Sequence, residues 1–260
     1  MENFDEARKE ILMKLNRMRT TTLVALTAFL FAGLLYADVP DILVGTFSAG
    51  RIGGNLPPDW NPWILKNVKR HSAYTLVQDD RTVIKAVADA SASGLMRNIT
   101  IDPQEYPIVQ WRWKVANIIE GADVSRKESN DSPARVYVAF SYDIRKVGLL
   151  ERLKYEAAKH IYTQSLPLRA ISYTWGNKTP RESIVPMPYT GWFKQIVVEN
   201  AASSVNNWIT EERDVCEDYR KAFGENPTGI TGVAIMTNTD NMGGQATAWY
   251  GDIVFKERTR

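Results

Sequence analysis

The stretch VQWRWKV, residues 109–115, alternates apolar and polar side chains at every position. Successive side chains of a β-strand point to opposite faces of its sheet. The two faces of this strand carry different sets: apolar Val109, Trp111, Trp113 and Val115, and polar Gln110, Arg112 and Lys114. The alternation predicts a strand of an antiparallel sheet that has one face on a core and one toward solvent.

Similar short runs, rich in β-branched and aromatic residues and bounded by Gly, Pro, Asn and Asp, recur through the chain after Asp38. They predict ten strands, near residues 42–47, 73–77, 82–88, 94–99, 108–115, 134–142, 169–175, 193–199, 229–236 and 246–256. This pattern is typical of a mainly β protein. We expect a jelly-roll-like antiparallel β-sandwich, of the galactose-binding or concanavalin-like kind, with two inserted helices.

The two inserted helices are predicted where the apolar spacing changes from two to between three and four residues. The first covers residues 146–162. The second covers residues 211–223, with Thr210 as the N-cap candidate and Gly224 as the stop. Residues 177–191 contain three prolines and are predicted to be a loop, because proline is disfavoured inside a strand.

The N-terminal segment has the order of a secretory signal sequence. An uncharged apolar run, residues 20–37, follows three basic residues and ends on Ala37. We therefore expect residues 1–37 to be a signal sequence and residues 38–260 to form a single exported domain, periplasmic or secreted. The alternative is an uncleaved anchor that would tie the domain to a membrane, because Leu35 is larger than the residue preferred near a cleavage site. The acidic opening is unusual for such a segment, and Met13 or Met18 would be a more typical start.

Composition excludes several classes of function. When the first 37 residues, with five basic and four acidic side chains, are set aside, 27 basic and 26 acidic residues remain, so no nucleic-acid partner is indicated. The single cysteine, Cys216, cannot form an internal disulfide. The two histidines, His71 and His160, have no Cys or His neighbour at metal-ligand spacing, which makes zinc sites and histidine-based catalytic centres poor hypotheses.

Polar and aromatic side chains that share strand faces indicate a binding surface. Glycan-binding sheets present aromatic planes to apolar sugar faces, with Arg, Asn, Gln and Glu nearby for the hydroxyl groups. The candidate residues for a glycan or similar polar small-molecule ligand are Arg112, Lys114, Arg135, Tyr137, Tyr173 and Trp175. The alternative is that Trp111 and Trp113 are core residues and that the polar side chains beside them simply face water.

A second concentration of polar residues, near the C-terminus, indicates a calcium site. Its candidate ligands are Asn238, Asp240, Asn241 and Asp252. Oxygen-bearing side chains at alternate positions beside a glycine turn could hold Ca²⁺. The alternative is a hairpin loop whose Asn and Asp side chains cap their own backbone.

The sequence contains no Gly-x-Ser-x-Gly motif, phosphate loop or dinucleotide fingerprint. Three functions remain open: a glycan-binding protein, a polysaccharide lyase or hydrolase, and an envelope interaction module without a small-molecule site. The enzyme would use Tyr137 or Tyr173 for proton transfer and Arg135 to stabilise negative charge.

Several motifs, taken in order, resemble the bacterial domain-of-unknown-function family numbered 3047. They include ASASGL at 90–95, WRWKV at 111–115, DSPARVYV at 131–138, YTWGN at 173–177 and GVAIMTNTDN at 232–241. The resemblance covers nearly all of the chain after residue 37. It implies an exported bacterial protein and no particular reaction. Members of that family tend to carry Asp where this chain has Asn238, which weakens the calcium hypothesis.

Overall fold

The computed structural model describes residues 13, 14, 17, 40–159, 167, 169–188, 190–200 and 202–258. The chain divides into two compact units, residues 1–40 and 41–260. Apart from residues 13, 14 and 17, the predicted signal sequence lies outside the described residues, so the export prediction stays a prediction. Among the residues that are described, no helix is both long enough and apolar enough to cross a bilayer.

The described part of the second unit is built mainly from strands. They are β1 (Ile42–Gly45), β2 (Asn61–Trp63), β3 (Ala73–Gln78), β4 (Thr82–Asp89), β5 (Ala92–Ile101), β6 (Ile108–Val115), β7 (Ser132–Phe140), β8 (Arg169–Trp175), β9 (Ile184–Met187), β10 (Thr190–Glu199), β11 (Ile209–Asp214), β12 (Ile230–Asn238) and β13 (Gln245–Lys256). Two α-helices accompany them, α1 (Leu149–Lys159) and α2 (Val215–Phe223).

The strands form two sheets. The six-stranded sheet has the order β11-β6-β13-β4-β3, and β1 joins it by pairing with β13. Its pairs are all antiparallel. The seven-stranded sheet has the order β2-β5-β12-β7-β8-β10-β9, and only its β8–β10 pair is parallel. The predicted mainly antiparallel β-sandwich with two helices is confirmed.

The main core lies between the two sheets and is rich in aromatic rings. Trp111 and Trp113 of β6 meet Tyr173 and Trp175 of β8 across the sandwich. The ring centroids of Trp111 and Tyr173 are 5.0 Å apart, and those of Trp113 and Trp175 are 5.5 Å apart. Aromatic pairs at this separation stabilise a core beyond the area that they bury. The alternative in which Trp111 and Trp113 are core residues is therefore confirmed.

A second apolar cluster covers the outer face of the seven-stranded sheet. Tyr137 of β7 belongs to it, whereas its neighbours in sequence, Val136 and Val138, belong to the main core. Tyr155 of α1 adds to this cluster and packs edge-on against Trp192, with ring centroids 5.4 Å apart. The seven-stranded sheet is thus buried on both faces over this region.

The second helix begins later than predicted. Residues 209–214 form β11, paired in register with β6, so the prediction of a helix from residue 211 is wrong at its start. The N-cap is Asp214 instead of Thr210, because an Asp214 carboxylate oxygen accepts the backbone N–H groups of Cys216 and Glu217, both at 3.0 Å. Gly224 has a φ of 76° and ends the helix, as predicted.

Two short edge strands were not predicted. β9 lies within residues 177–191, which were predicted to be a loop, and it contains Pro186. β9 pairs only with β10, at the edge of the sheet, where a residue without an N–H is tolerated. β2, only three residues long, contains Pro62 and forms the opposite edge of the same sheet.

Candidate functional site

Arg112 and Lys114 lie on the outer face of the six-stranded sheet, because the tryptophans that alternate with them point into the core. Each cation contacts a carboxylate of the loop between β3 and β4. Arg112 donates to both oxygens of Asp80, at 2.5 and 2.6 Å, and Lys114 donates to Asp79. Two-pronged pairing of this kind fixes the guanidinium plane.

Each of these cations lies over the ring of a partly exposed tryptophan. The Trp208 ring lies 4.2 Å from the Arg112 guanidinium carbon, and the Lys114 ammonium lies 4.6 Å from the centre of the Trp249 ring. Trp249 reaches this position because it is opposite Lys114 in the β6–β13 register. The Trp208 indole N–H donates to Asp79 at 3.0 Å, which ties the ring to the same loop.

Gly251 explains why Arg112 can lie flat on the sheet. A Cβ atom at position 251 would come within 2.5 Å of Arg112 Cγ and 2.6 Å of its Nε. Any other residue at this position would push the arginine side chain away from Trp208 and Asp80. We call the surface formed by Asp79, Asp80, Arg112, Lys114, Trp208 and Trp249 the tryptophan face.

The carboxylates of the tryptophan face stay ionised well into acid. The hydrogen bond from Lys114, followed by that from Trp208, lowers the pKa of Asp79. The hydrogen bonds from Arg112 lower the pKa of Asp80 to about 2. The face therefore keeps its alternating charges and its ring positions at neutral and mildly acidic pH. Such a surface offers partly exposed indole rings, each with a cation over one face, among charged donors and acceptors that are already fixed in place.

The other four predicted ligand-binding residues are not part of this face. Tyr173 and Trp175 are fully buried between the sheets, and Tyr173 donates its hydroxyl hydrogen to Asp218 at 3.0 Å. The prediction that they offer an aromatic surface to a ligand is corrected by this placement. Alternation grouped them on one face of β8 correctly. That face is the inner one.

Arg135 and Tyr137 share the outer face of β7, as predicted, but both are covered. Tyr137 is 5% exposed and packs edge-on against Trp63, with ring centroids 5.1 Å apart. Arg135 is 1% exposed. A ligand at the surface cannot reach either group. Tyr137, Tyr173 and Arg135 are therefore not accessible to a substrate that would need them for proton transfer or charge stabilisation.

Arg135 is held by a buried polar network. Its Nε donates to Asn238 Oδ1 at 3.2 Å, Nη1 donates to Gln195 Oε1, and Nη2 donates to the backbone and side-chain oxygens of Asn130 at 3.1 and 2.9 Å. The amide of Asn238 also donates to Asp131 Oδ1 at 3.0 Å. Asn238 thus connects a buried cation to a buried carboxylate. We call Asn130, Asp131, Arg135, Gln195 and Asn238 the arginine network.

Asp131, which is 1% exposed, accepts four hydrogen bonds from the end of β12 and the turn that follows it. The donors are the side-chain amides of Asn238 and Asn241 and the backbone N–H groups of Asn241 and Met242. Burial raises the pKa of Asp131, and the hydrogen bonds from Met242 and Asn241 oppose the rise. The polar turn that suggested a calcium site thus packs on the arginine network and bonds to Asp131.

The four predicted calcium ligands do not form one site, because Asp252 lies apart from the other three. Asn238 Oδ1 accepts from Arg135, and Asp240 accepts from the Asn238 amide at 3.2 Å. Asp252 accepts from the backbone N–H and the hydroxyl group of Ser48, at 2.9 and 2.5 Å. It lies seven residues along β13 from Gln245, roughly 20 Å from the turn. Within the described residues, no group of three or more His, Cys, Asp or Glu side chains could hold a metal ion.

The sequence-based site missed both tryptophans of the tryptophan face. Trp249 carried a usable signal, because it alternates along β13 with the buried residues Ala248 and Tyr250. Trp208 carried none. It precedes β11, where no strand was predicted, so no face could be assigned to it.

Solved structures with a similar arrangement of strands are very distant in sequence. The carbohydrate recognition domain of Emp47p is 12% identical, with a TM-score of 0.42, over 84% of this chain and 95% of that chain. The family 30 carbohydrate-binding module of a Clostridium thermocellum cellulosomal cellulase is 8% identical, with a TM-score of 0.39, over 85% and 100%. The Endo-D glycoside hydrolase domain of Streptococcus pneumoniae R6 is 12% identical, with a TM-score of 0.35. The match covers 77% of this chain and only 22% of that one.

No curated protein sequence matches this chain. A family model does match, over residues 58–254, which include every residue of the tryptophan face and of the arginine network. The chain therefore belongs to the family described as "Protein of unknown function (DUF3047)".

Proposed function

We propose that the tryptophan face binds a glycan or a similar polar ligand. The observation that carries this proposal is the pair Trp208 and Trp249, two partly exposed indole rings on the outer face of a sheet. A sugar ring has an apolar face that packs on an aromatic plane and hydroxyl groups at its rim that need donors and acceptors. The tryptophan face offers both.

Preorganisation supports the same proposal. Binding costs less when side chains are already ordered, since each immobilised flexible side chain costs about 0.5–1.5 kcal/mol on binding. Arg112 and Lys114 are held by Asp80 and Asp79, and Trp208 is held by its indole hydrogen bond to Asp79. Little ordering is left for a ligand to impose.

Replacing Trp249 by Ala is expected to lower glycan affinity at least ten-fold, which corresponds to about 1.4 kcal/mol. The reason is the loss of the ring on which the sugar packs. A glycan-array screen would identify the ligand, and calorimetric titration would then compare the wild-type protein with Trp249→Ala.

The matched control is Leu150→Ala, an exposed apolar side chain on α1, on the side of the other sheet. It should bind as the wild-type protein does. Equal affinity of the wild-type protein and Trp249→Ala for every glycan that binds would exclude the tryptophan face as the site. A product assay on each ligand found would separate binding from catalysis.

We also propose that residues 1–37 export the chain to the periplasm or the medium. The order of basic residues, apolar segment and small residue supports this. Fractionation followed by N-terminal sequencing is expected to find a mature chain that begins at Asp38 in the exported fraction. An uncleaved chain held in the membrane fraction would instead support the anchor, and a cytoplasmic chain would contradict export.

A further inference from the structure

Helix α1 exposes three leucines on one side. Leu149, Leu150 and Leu153 are 74%, 66% and 60% exposed. At 100° per residue, these positions cover less than a third of the helix circumference. The other exposed large apolar side chains of the described residues are Met13, Leu43, Ile52, Val87 and Met242, and no two of them lie on one helix or strand. The leucine side of α1 is therefore the concentrated apolar surface of the described chain.

This surface cannot turn inward, because the opposite side of α1 is fixed to the domain. Tyr155 points away from the leucines and packs against Trp192. Arg152 donates from Nε to the Val147 carbonyl at 2.9 Å and from Nη2 to the Arg145 carbonyl at 2.5 Å, which ties the helix to the preceding loop. The leucines are thus held toward the outside.

The segment that carries the leucine surface has more basic than acidic residues. Residues 143–159 contain five basic and three acidic side chains. The basic ones are Arg145, Lys146, Arg152, Lys154 and Lys159. Arg145 is paired with Asp143 but remains largely exposed, so its charge stays near the surface. An exposed apolar stripe within a basic segment complements a surface that has an apolar interior and negatively charged groups above it.

We propose that α1 docks on an anionic lipid bilayer, with the leucines at the boundary of the acyl chains and Arg145 and Lys146 among the headgroups. This contact lies on the opposite side of the sandwich from the tryptophan face and is independent of glycan binding. Three leucine side chains offer only a small part of the area that a stable protein dimer buries. A stable contact with a second copy would need roughly 800 Å² from each partner.

The test places a fluorescent probe on the docking surface of the full chain. Leu150→Cys is labelled with an environment-sensitive nitrobenzoxadiazole dye. The native Cys216 is buried and burial raises its pKa, so the label goes to position 150. The control carries the same dye at Val87→Cys, on the outer face of β4, and reports any binding that the N-terminal segment causes by itself.

With phosphatidylglycerol-containing vesicles, the dye at position 150 should brighten and be quenched by a nitroxide placed in the acyl chains. The dye at position 87 should do neither. Pure phosphatidylcholine vesicles should bind much more weakly. Arg145→Gln and Lys146→Gln should each lower vesicle affinity about five-fold.

Three results would overturn the proposal: no response at position 150, equal quenching at positions 150 and 87, or brightening at position 150 that depends on protein concentration without lipid. The last result would identify a second copy of the chain as the occupant.

Discussion

Arg135→Met is expected to lower the free energy of unfolding by about 3–5 kcal/mol. The substitution removes the Arg135 donor from four oxygens of the arginine network: the backbone and side-chain oxygens of Asn130, Gln195 Oε1 and Asn238 Oδ1. It also removes the positive charge that Asn238 connects to the buried carboxylate of Asp131. Leaving a buried polar group without its partner costs more free energy of folding than the hydrogen bond contributed, because no water molecule takes the partner's place.

Thermal and urea unfolding would measure the effect. For a domain of this size, a loss of this magnitude corresponds to a fall in Tm of roughly 10 °C. The matched control is Arg70→Met, which removes an arginine from an exposed ion pair with Asp89. It should cost far less, because solvent screens an exposed ion pair. Equal stability of the two variants would show that the arginine network does not stabilise the fold.

Glu211→Gln is expected to stabilise the protein above pH 7 by about 3 kcal/mol. Glu211 lies on β11 opposite Trp111, is 6% exposed, and has one carboxyl oxygen without a hydrogen-bond partner among the described residues. Burial raises its pKa from 4.5 to about 7. Arg181 opposes this rise, and the negative charge of Glu199 adds to it. The folded protein therefore disfavours the ionised carboxylate at this position.

The direction of the pH dependence follows from the raised pKa. Below about pH 4.5 the carboxyl group is protonated in both the folded and the unfolded state and has no effect. Between pH 4.5 and about 7 the unfolded chain releases its proton first, so stability falls as pH rises. Above about pH 7 the folded protein bears the full loss of stability that comes from ionising Glu211. A glutamine is neutral at every pH and therefore avoids this loss of stability.

Urea unfolding of the wild-type protein and Glu211→Gln at pH 5 and pH 8 would measure this effect. The two proteins should differ little at pH 5 and by about 3 kcal/mol at pH 8. Glu212→Gln is the control, because Glu212 is the exposed neighbour on the same strand. It should leave the pH profile of the wild-type protein unchanged. The same difference in stability between Glu211→Gln and the wild-type protein at both pH values would contradict a raised pKa for the buried Glu211 carboxyl group.

Alternation in the sequence predicted β6 correctly, because the two faces of that strand meet different surroundings. Trp111 and Trp113 are buried between the sheets, while Arg112 and Lys114 lie outside, where Asp79 and Asp80 are within reach. A strand with one covered and one open face leaves a two-residue period that can be read without a structure. The half of the tryptophan face that comes from β6 was predictable for this reason.

The same reasoning failed for β8, because both faces of that strand are buried. Its inner side carries Tyr173 and Trp175, and its outer side carries Ser172 and Thr174, which share a hydrogen bond. Small polar residues such as Ser172 and Thr174 give no sign in the sequence that another part of the protein covers them. The pattern shows which residues share a face but not which face is covered. Part of the cover here comes from another element, α1, whose Tyr155 belongs to the same apolar cluster as Ala170 of β8.

The remaining errors share a cause, which is contact between distant parts of the chain. The acids Glu211, Glu212 and Asp214 are typical of a helix N-terminus, yet pairing with β6 makes this segment a strand. The polar turn after Asn238 is typical of a cation site, yet its side chains are committed to Arg135 and Asp131. Local composition indicates the chemistry of such segments and cannot indicate their partners.

The most direct test of the tryptophan face is an NMR titration that follows the indole N–H signals of the eight tryptophans while a glycan identified by the array is added. We expect the signals of Trp208 and Trp249 to shift in proportion to binding, and those of Trp111, Trp113 and Trp175 to stay in place because their rings are buried in the core. Binding that leaves Trp208 and Trp249 unchanged would contradict the account and place the ligand on another surface.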